Sequence, residues 1–289
     1  MNVSLSRTHD VSAIASQTVR VLTYNLGLLA LPPFGLFALA SGIRARLAAA
    51  PAQLRATGAD IIALQEVFSP RHSKFLCNAL HGTYPYAYVP RHDRCLLGSG
   101  LMFLSRYRIT QGLFLPCKVP GRFASAAEKG CLCVEVDGPG DAPLHFVNLH
   151  LVADSGSRQS EIAHALAVAR ANAAILLGDF NCSPEIRGAD YQRILAAGYS
   201  DAFVAAGQGG VNGSNVTWDI ANPLNRVSRY RDEISQRIDH VFIPRTLRGT
   251  LDPMAAEIVL QEAILETASG PVPLSDHYGM LAAFVCNKK

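Results

Sequence analysis

The feature that most constrains the fold of this chain is a set of apolar, strand-like stretches that each end in a polar side chain of a type common in catalytic or metal-binding sites. Six such ends carry an acid, an amide or an imidazole, in chain order Asn25, Glu66, His150, Asp179 with Asn181, Asp239, and Asp276 with His277. One of them alone would be a weak signal, because Asp and Asn are common turn formers. Six in one chain predict that several strand ends meet at one functional site.

The stretch ILLGDFN, residues 175–181, shows the pattern most clearly. Side chains alternate between the two faces of a strand, so Asp179 and Asn181 are predicted to point the same way while Phe180 packs into the interior. Two oxygen-bearing side chains at the end of a rigid strand suit a metal, a phosphate or a reacting water. The alternative is an ordinary turn, in which Asp or Asn hydrogen-bonds nearby backbone.

The order of apolar and amphipathic stretches predicts an α/β fold. A strand at 20–27, a helix at 42–57 closed by Gly58 and a strand at 61–67 form a βαβ unit. Strands without helices follow over 99–152, and a helix and a strand then return. We therefore predict two mixed sheets packed face to face, each covered by helices on its outer side. We find no linker, so we predict an N-terminal extension over 1–19 and a single domain over 20–289.

Composition narrows the range of partners and metals. The net charge is +3 and the basic residues are dispersed, so the sequence lacks the charged footprint typical of nucleic-acid binding. The seven cysteines include no CxxC pair, which argues against a zinc site and favours reduced thiols. A site of carboxylates and amides instead suits a hard cation that prefers oxygen ligands.

Two segments bear on where the protein is found. The N-terminal residues contain no uninterrupted apolar stretch, so we expect no secretory signal peptide, although other export routes stay open. The apolar segment 28–40 is too short and too rich in proline to span a bilayer. It either touches a lipid surface or packs against the domain. We expect a cytoplasmic or peripheral membrane protein.

The strand ends, with the motifs GDFN and SDH and the related RIDH, resemble those of the endonuclease/exonuclease/phosphatase superfamily. The resemblance runs from about Val21 to the last strand, and it implies a four-layer α/β/β/α sandwich. Within the superfamily the chain is most similar to the neutral sphingomyelinases, on GSGLMFLSRYRI (98–109), the Lys-Gly of AAEKGCLCVEV, HLVAD, and TWDIANPLN (217–225). That branch implies hydrolysis of sphingomyelin, or a related phospholipid at a membrane surface, to ceramide and phosphocholine.

The resemblance and the chemistry of the side chains together assign roles. Glu66 and Asn25 are expected to hold Mg²⁺, for which Mn²⁺ or Co²⁺ could substitute. His277 is the expected general base, with Asp239 as the acid that fixes its tautomer and Asp276 adjacent. Asp179 and Asn181 are expected to position a water or bind phosphate oxygens, and His150 to donate to the phosphoryl group. A water would then attack in line with the leaving alkoxide.

Three other functions stay open. A nuclease acting on abasic DNA would share nearly all of these residues but would need a basic groove, which the dispersed charge argues against. A phosphatase acting on inositol phosphates would need clustered Lys or Arg. A lipid-binding protein without catalytic activity is the third, and the intact set of polar strand ends argues against it. The sequence identifies no protein partner.

Overall fold

The computed structural model describes residues 17–29, 41–91, 97–117, 127–140, 142–207, 215–226, 232–267 and 270–287. Most of the predicted extension and residues 30–40 of the apolar segment 28–40 lie outside these residues. The first strand begins at Gln17, within the segment predicted as an N-terminal extension. Of the apolar segment only Leu28 and Leu29 are described, and Leu28 is buried.

The described residues form two sheets of six strands each, together with a small two-stranded sheet. The strands are β1 Gln17–Asn25, β2 Ile61–Gln65, β3 Tyr86–Tyr88, β4 Met102–Ser105, β5 Ile109–Pro116, β6 Gly130–Val136, β7 Leu144–His150, β8 Ile175–Asp179, β9 Tyr199–Asp201, β10 Asp239–Pro244, β11 Leu251–Val259, β12 Leu265–Thr267, β13 Gly270–Val272 and β14 Gly279–Cys286. The helices are α1 Ile43–Ala56, α2 Pro70–Leu80, α3 Ser155–Arg170, α4 Gly188–Ala196, α5 Ala202–Ala205 and α6 Pro223–Arg226, with a 3-10 turn at Arg245–Leu247.

The two large sheets have the same internal arrangement. Sheet one has the strand order β11-β14-β1-β2-β4-β3, and sheet two has the order β5-β6-β7-β8-β10-β9. In each sheet the third and fourth strands are parallel, and every other neighbouring pair is antiparallel. The parallel pairs are the two βαβ units, β1-α1-β2 and β7-α3-β8. The two sheets therefore share one topology, each built around a parallel βαβ unit.

Alternation of side chains along the strands explains the layers. Val21 of β1 and Leu177 of β8 belong to one apolar cluster between the sheets. The next residues along the strands, such as Leu22 and Leu176, face outward and pack under helices: α1 and α2 cover sheet one, and α3 and α4 cover sheet two. This confirms the predicted four-layer α/β/β/α sandwich. None of the helices in the described parts of the chain has the length and apolar character needed to cross a bilayer.

The helix ends follow from local sequence. Ser69 caps α2 by accepting a hydrogen bond from the backbone N–H of Arg71, and Pro70 takes the first position, where no backbone donor is needed. Asp154 caps α3 in the same manner, accepting from the backbone N–H of Ser157. Gly58, the residue predicted to close this helix, follows the end of α1 and has φ of 64°, in the left-handed region that glycine adopts readily.

Candidate active site

The predicted residues meet at one rim of the space between the two sheets. Asn25, His150 and Asp179 end strands β1, β7 and β8, and Asp239 begins β10. Each shares the strand face of the inter-sheet core residues two or four positions away. His150 and Asp179 are register partners, as are Asp179 and Asp239. Strand alternation thus aims side chains from different strands into one place.

A buried polar layer separates this rim from the apolar core. Gln65 Nε2 donates to Asn148 Oδ1 at 2.8 Å and to Thr23 Oγ1 at 3.1 Å. Asn148 Nδ2 donates to the carbonyl oxygens of Leu64 and Met102, both at 3.1 Å. Since Asn148 belongs to sheet two and its partners to sheet one, these bonds join the sheets directly beneath the site.

Glu66 reaches the site through an unusual backbone conformation. It follows the last residue of β2 and has φ of 60°, which few residues other than glycine adopt. Such a conformation costs on the order of 1–3 kcal/mol and is concentrated at functional sites. Oε1 accepts from Asn25 Nδ2 at 3.3 Å, while Oε2 is buried and has no hydrogen-bond partner among the described residues. Burial, and then the nearby carboxylate of Asp276, raise the pKa of Glu66 to about 7.

Asn25 joins the two sheets at the centre of the site. Its Nδ2 donates to Glu66 Oε1 and, at 3.1 Å, to Asp179 Oδ2. Its Oδ1 accepts from the backbone N–H of Gly27 at 3.0 Å. In this orientation Asn25 presents a donor to both carboxylates. Its role as a metal ligand stays a prediction, and it would require the amide oxygen and nitrogen to exchange places.

His277 and Asp239 form a hydrogen-bonded couple. His277 Nδ1 lies 2.9 Å from Asp239 Oδ2, and Nε2 lies 3.9 Å from Asp179 Oδ2. Burial alone would lower the pKa of His277, but Asp239, Asp179 and Asp276 together raise it well above its usual value. Burial, and then the charge of Asp239, raise the pKa of Asp179 to about 6. An imidazole held by one carboxylate and facing another suits proton transfer.

His150 and Lys129 line the side of the site formed by sheet two. His150 Nε2 lies 3.5 Å from Asp179 Oδ2. Burial and the positive charges of Lys129 and His277 lower the pKa of His150 well below its usual value, so its imidazole is neutral at pH 7. Lys129 Nζ donates to the carbonyl oxygen of His150 at 3.0 Å. Sequence reasoning gave Lys129 no role, although it is the lysine of the Lys-Gly motif.

Asn181 does not continue the strand. β8 ends at Asp179, and Asn181 has φ of 50°, so Asn181 is not part of the strand. The prediction that alternation along one strand points both side chains the same way is therefore wrong. Asp179 Oδ1 accepts from the backbone N–H of Asn181 at 2.9 Å, which is the turn considered as the alternative. Asn181 Nδ2 donates to the carbonyl oxygen of Leu151 at 2.9 Å, beside His150. Asn181 is thus brought to the site by a turn.

Asp276 packs against the loop that follows β1. Ser275 Oγ lies 3.0 Å from Asp276 Oδ1 and 2.7 Å from the carbonyl oxygen of Asn25, and it donates its single hydrogen to one of these two oxygens at a time. Gly27 has φ of +56°, and a Cβ at this position would lie 2.1 Å from Asp276 Oδ1. Only glycine therefore fits beside this carboxylate. The arrangement ties the segment before His277 to the end of β1.

The motif TWDIANPLN, residues 217–225, hydrogen-bonds the backbone segments that carry two of the site residues. Thr217 Oγ1 accepts from the backbone N–H groups of Ile238 and Asp239, both at 3.0 Å, and the Thr217 carbonyl accepts from the N–H of Tyr278 at 2.6 Å. Asn225 Nδ2 donates to the carbonyl oxygen of Asp276 at 2.8 Å. The motif therefore connects the backbones that carry Asp239 and His277. Sequence reasoning missed these contacts because they join residues far apart in the chain.

We expect Thr217→Val to weaken both the fold and the site. Valine has nearly the shape of threonine but cannot accept the two backbone N–H groups, and leaving buried donors unpaired costs roughly 2–4 kcal/mol here. Unfolding in urea measures this loss. The matched variant Thr217→Ser keeps the hydroxyl and should lose only about 1 kcal/mol, from the missing methyl group. Equal stability of the two variants would contradict the role of the hydroxyl.

The donor set fits a divalent cation. Glu66, Asp179, Asp239 and Asp276 gather around the site, and the raised pKa values of Glu66 and Asp179 reflect buried acids that crowd one another. Glu66 Oε2 and Asp239 Oδ1 are buried without a hydrogen-bond partner among the described residues. Atoms of Asp179, Asp239 and His277 also lie within 4.8 Å of one another, close enough to hold a metal ion. We prefer Glu66 to this cluster as the candidate metal ligand, because His277 Nδ1 and Asp239 Oδ2 are already hydrogen-bonded to each other.

Comparison with known proteins yields a family match and a curated relative. The profile of the "Endonuclease/Exonuclease/phosphatase family" matches residues 22–277. A Drosophila melanogaster protein named "Putative neutral sphingomyelinase" is 26% identical over 243 residues. That alignment covers 77% of this chain and 53% of the relative, so the chain spans about half the length of the relative it matches.

Solved structures share the fold. Beta toxin from Staphylococcus aureus, crystallised with bound magnesium ions, has a TM-score of 0.75 at 16% identity, covering 92% of this chain and 99% of its own. Sphingomyelinase C from Streptomyces griseocarneus has a TM-score of 0.70 at 21% identity, covering 94% and 100%. A truncated Caenorhabditis elegans TDP2 has a TM-score of 0.68 at 19% identity, covering 93% and 98%. At these identities the likeness concerns the fold.

Proposed function

Because the chain belongs to the endonuclease/exonuclease/phosphatase family, we propose that it is a magnesium-dependent phosphodiesterase that hydrolyses sphingomyelin to ceramide and phosphocholine. The observation that carries the catalytic part is the 2.9 Å hydrogen bond between His277 Nδ1 and Asp239 Oδ2. Once Nε2 has lost its proton, the imidazole, whose Nδ1 proton is held by Asp239, presents the Nε2 lone pair to the site. Nε2 is then placed to take a proton from a water molecule.

The residues around His277 orient the other reactants. Asp179, fixed by Asn25 and by the N–H of Asn181, lies on the Nε2 side of His277 and can align the attacking water. The imidazole of His150 is neutral at pH 7, and its N–H group can donate a hydrogen bond to a phosphoryl oxygen. Lys129 adds positive charge beside His150. The water oxygen bonds to phosphorus as its proton passes to His277 Nε2, the bond between phosphorus and the ceramide oxygen breaks, and that oxygen takes a proton from solvent water while His277 returns its proton to solvent.

Glu66 is the residue that would hold a magnesium ion, through its unpaired buried Oε2. Bound Mg²⁺ supplies positive charge that offsets the carboxylates and the charge developing on the phosphoryl and leaving oxygens. A cation that keeps several waters and takes one or two carboxylates suits this small donor set, and Mn²⁺ or Co²⁺ would be substitutes.

The choice of substrate is supported by the Drosophila relative, a protein named "Putative neutral sphingomyelinase". The net charge of +3, with dispersed basic residues, gives little support to a nucleic-acid substrate. The apolar segment 28–40, which follows the loop at Asn25, would place the site at a lipid surface. Residues 30–40 lie outside the described part of the chain, so this contact rests on sequence alone.

One parallel assay tests the proposed function. Sphingomyelin in mixed micelles, a DNA duplex with an abasic site and an inositol phosphate are each incubated with the protein, with Mg²⁺ or with EDTA. We expect Mg²⁺-dependent release of phosphocholine, abolished by Glu66→Ala and retained in Glu262→Ala, which removes an exposed acid. If DNA or inositol phosphate is cleaved and sphingomyelin is not, the proposed substrate is wrong. Inactivity on all three would overturn the enzyme proposal.

A further inference from the structure

Two buried arginines occupy the same position in the two βαβ units. Arg46 is the fourth residue of α1, and Arg158 is the fourth residue of α3. Both side chains are almost completely buried, at 1% and 0% exposure. Burying a guanidinium is costly unless it is well hydrogen-bonded. The partners of each arginine therefore indicate what the charge does there.

Arg46 holds the loop after β1 against the segment before β14. Its Nη1 donates to the carbonyl oxygens of Leu26, at 2.8 Å, and Leu274, at 3.2 Å. Its Nη2 donates to the carbonyl oxygen of Gly27 at 2.6 Å. Leu26 and Gly27 directly follow Asn25, and Leu274 precedes Ser275, Asp276 and His277. One guanidinium thus spans two backbone segments that carry site residues.

Arg158 also joins two segments at the site, although these follow the parallel strands β7 and β8 of sheet two. Its Nη1 donates to the carbonyl oxygens of Val152, at 3.2 Å, and Ala153, at 2.7 Å, in the loop that follows His150. Its Nε donates to Asp190 Oδ2 at 2.8 Å. Asp190 is in the first turn of α4, which follows the segment containing Asn181. Arg158 therefore joins the segments that follow β7 and β8.

We propose that Arg46 and Arg158 are a matched pair of positioning residues, which set the distance between site-bearing segments within each half of the fold. The inference rests on the proposed function only in taking hydrolysis as the activity that suffers. A guanidinium presents several N–H donors in one plane and can bridge carbonyls of separate segments. An ammonium group is a compact point charge and cannot span them in the same geometry. Lysine fills the position and keeps the charge, but it leaves some of these acceptors without a donor, so the substitution tests the fork itself.

The test compares Arg46→Lys and Arg158→Lys with Arg44→Lys, which changes an exposed arginine in α1. For Arg46→Lys we expect a fall in kcat of roughly 10- to 100-fold with little change in KM, because an error of about 1 Å in placement costs rate and not affinity. Arg158→Lys should show the same split, and Arg44→Lys should match the wild type. A Tm close to that of the wild type shows that each variant folds.

Hydrogen–deuterium exchange of the metal-free protein supplies a readout independent of activity. Arg46→Lys should speed exchange in peptides covering 22–29 and 274–280 and leave 150–158 unchanged, and Arg158→Lys should do the reverse. Uniform acceleration, or no acceleration, would overturn the positioning role, as would unchanged kcat in both variants. A wild type inactive on every substrate overturns the proposed function, while the local exchange pattern still decides whether the arginines fix these segments.

Discussion

Replacing His277 by alanine should lower kcat by on the order of 10³-fold or more, because the site loses the group that takes the proton from water. The substrate and the metal should still bind, since His277 is expected to act on the water alone. Steady-state kinetics with the substrate that the wild type cleaves measures the loss. His81→Ala, which changes an exposed histidine at the end of α2, is the matched control.

Asp239→Asn tests the same couple through pH. Asp239 is the largest of the influences that raise the pKa of His277, so the amide should lower that pKa. Activity that rises with pH as His277 loses its proton should then rise at lower pH in the variant. Its maximum should also fall by roughly 10²- to 10⁴-fold, because asparagine does not hold the required tautomer. If the rising limb of the pH–activity profile does not move in Asp239→Asn, the pairing of Asp239 with His277 is contradicted. If His277→Ala keeps activity within tenfold of the wild type, the role of His277 as general base is contradicted.

Glu66→Gln should also lower activity by roughly 10³-fold or more, since the variant keeps the shape of the side chain but loses its charge. Mg²⁺ affinity should fall in parallel, and calorimetric titration of the wild type and the variant measures this directly. Glu262→Gln, at an exposed position, should bind and react as the wild type does. Full activity of Glu66→Gln at the same Mg²⁺ concentration would exclude Glu66 as the main ligand.

The same substitution has a second effect in the absence of metal. The pKa of Glu66 is raised to about 7 in the folded state from 4.5. Its contribution to stability is therefore fully present below pH 4.5 and is lost as pH rises through 7, where a buried negative charge forms. In EDTA at pH 8 we expect Glu66→Gln to be more stable than the wild type by about 3 kcal/mol, and near pH 4.5 to be equal to it. Chemical unfolding at both pH values measures the difference. A variant that is less stable at pH 8 would contradict the crowding of buried acids.

The sequence predicts the layers and most of the site because both follow from strand periodicity. Asn25, His150, Asp179 and Asp239 lie where alternation aims them, since each is at the end of a strand whose core residues face the other sheet. Such periodicity is a property of short segments, so it can be read without knowledge of the fold.

Other features depend on tertiary context and could not be predicted. Glu66 and Asn181 reach the site through positive φ angles, which sequence patterns assign to glycine by default. Thr217 and Arg46 act through backbone groups tens or hundreds of positions away, such as the Leu274 carbonyl that accepts from Arg46. A polar residue within a resembling motif was the available signal for Thr217, but nothing local indicated its partners.

The pairing of the first strand with the last has a consequence for how the chain acquires activity. β1 lies between β2 and β14, with Gln17 opposite Cys286, whereas all strands of sheet two come from the continuous stretch 109–244. Contacts between distant parts of a chain form late, because closing the intervening loop costs entropy. Asn25 ends β1 and His277 lies just before β14, so both reach the site only when these two strands pair, and the onset of activity in a refolding experiment reports that pairing.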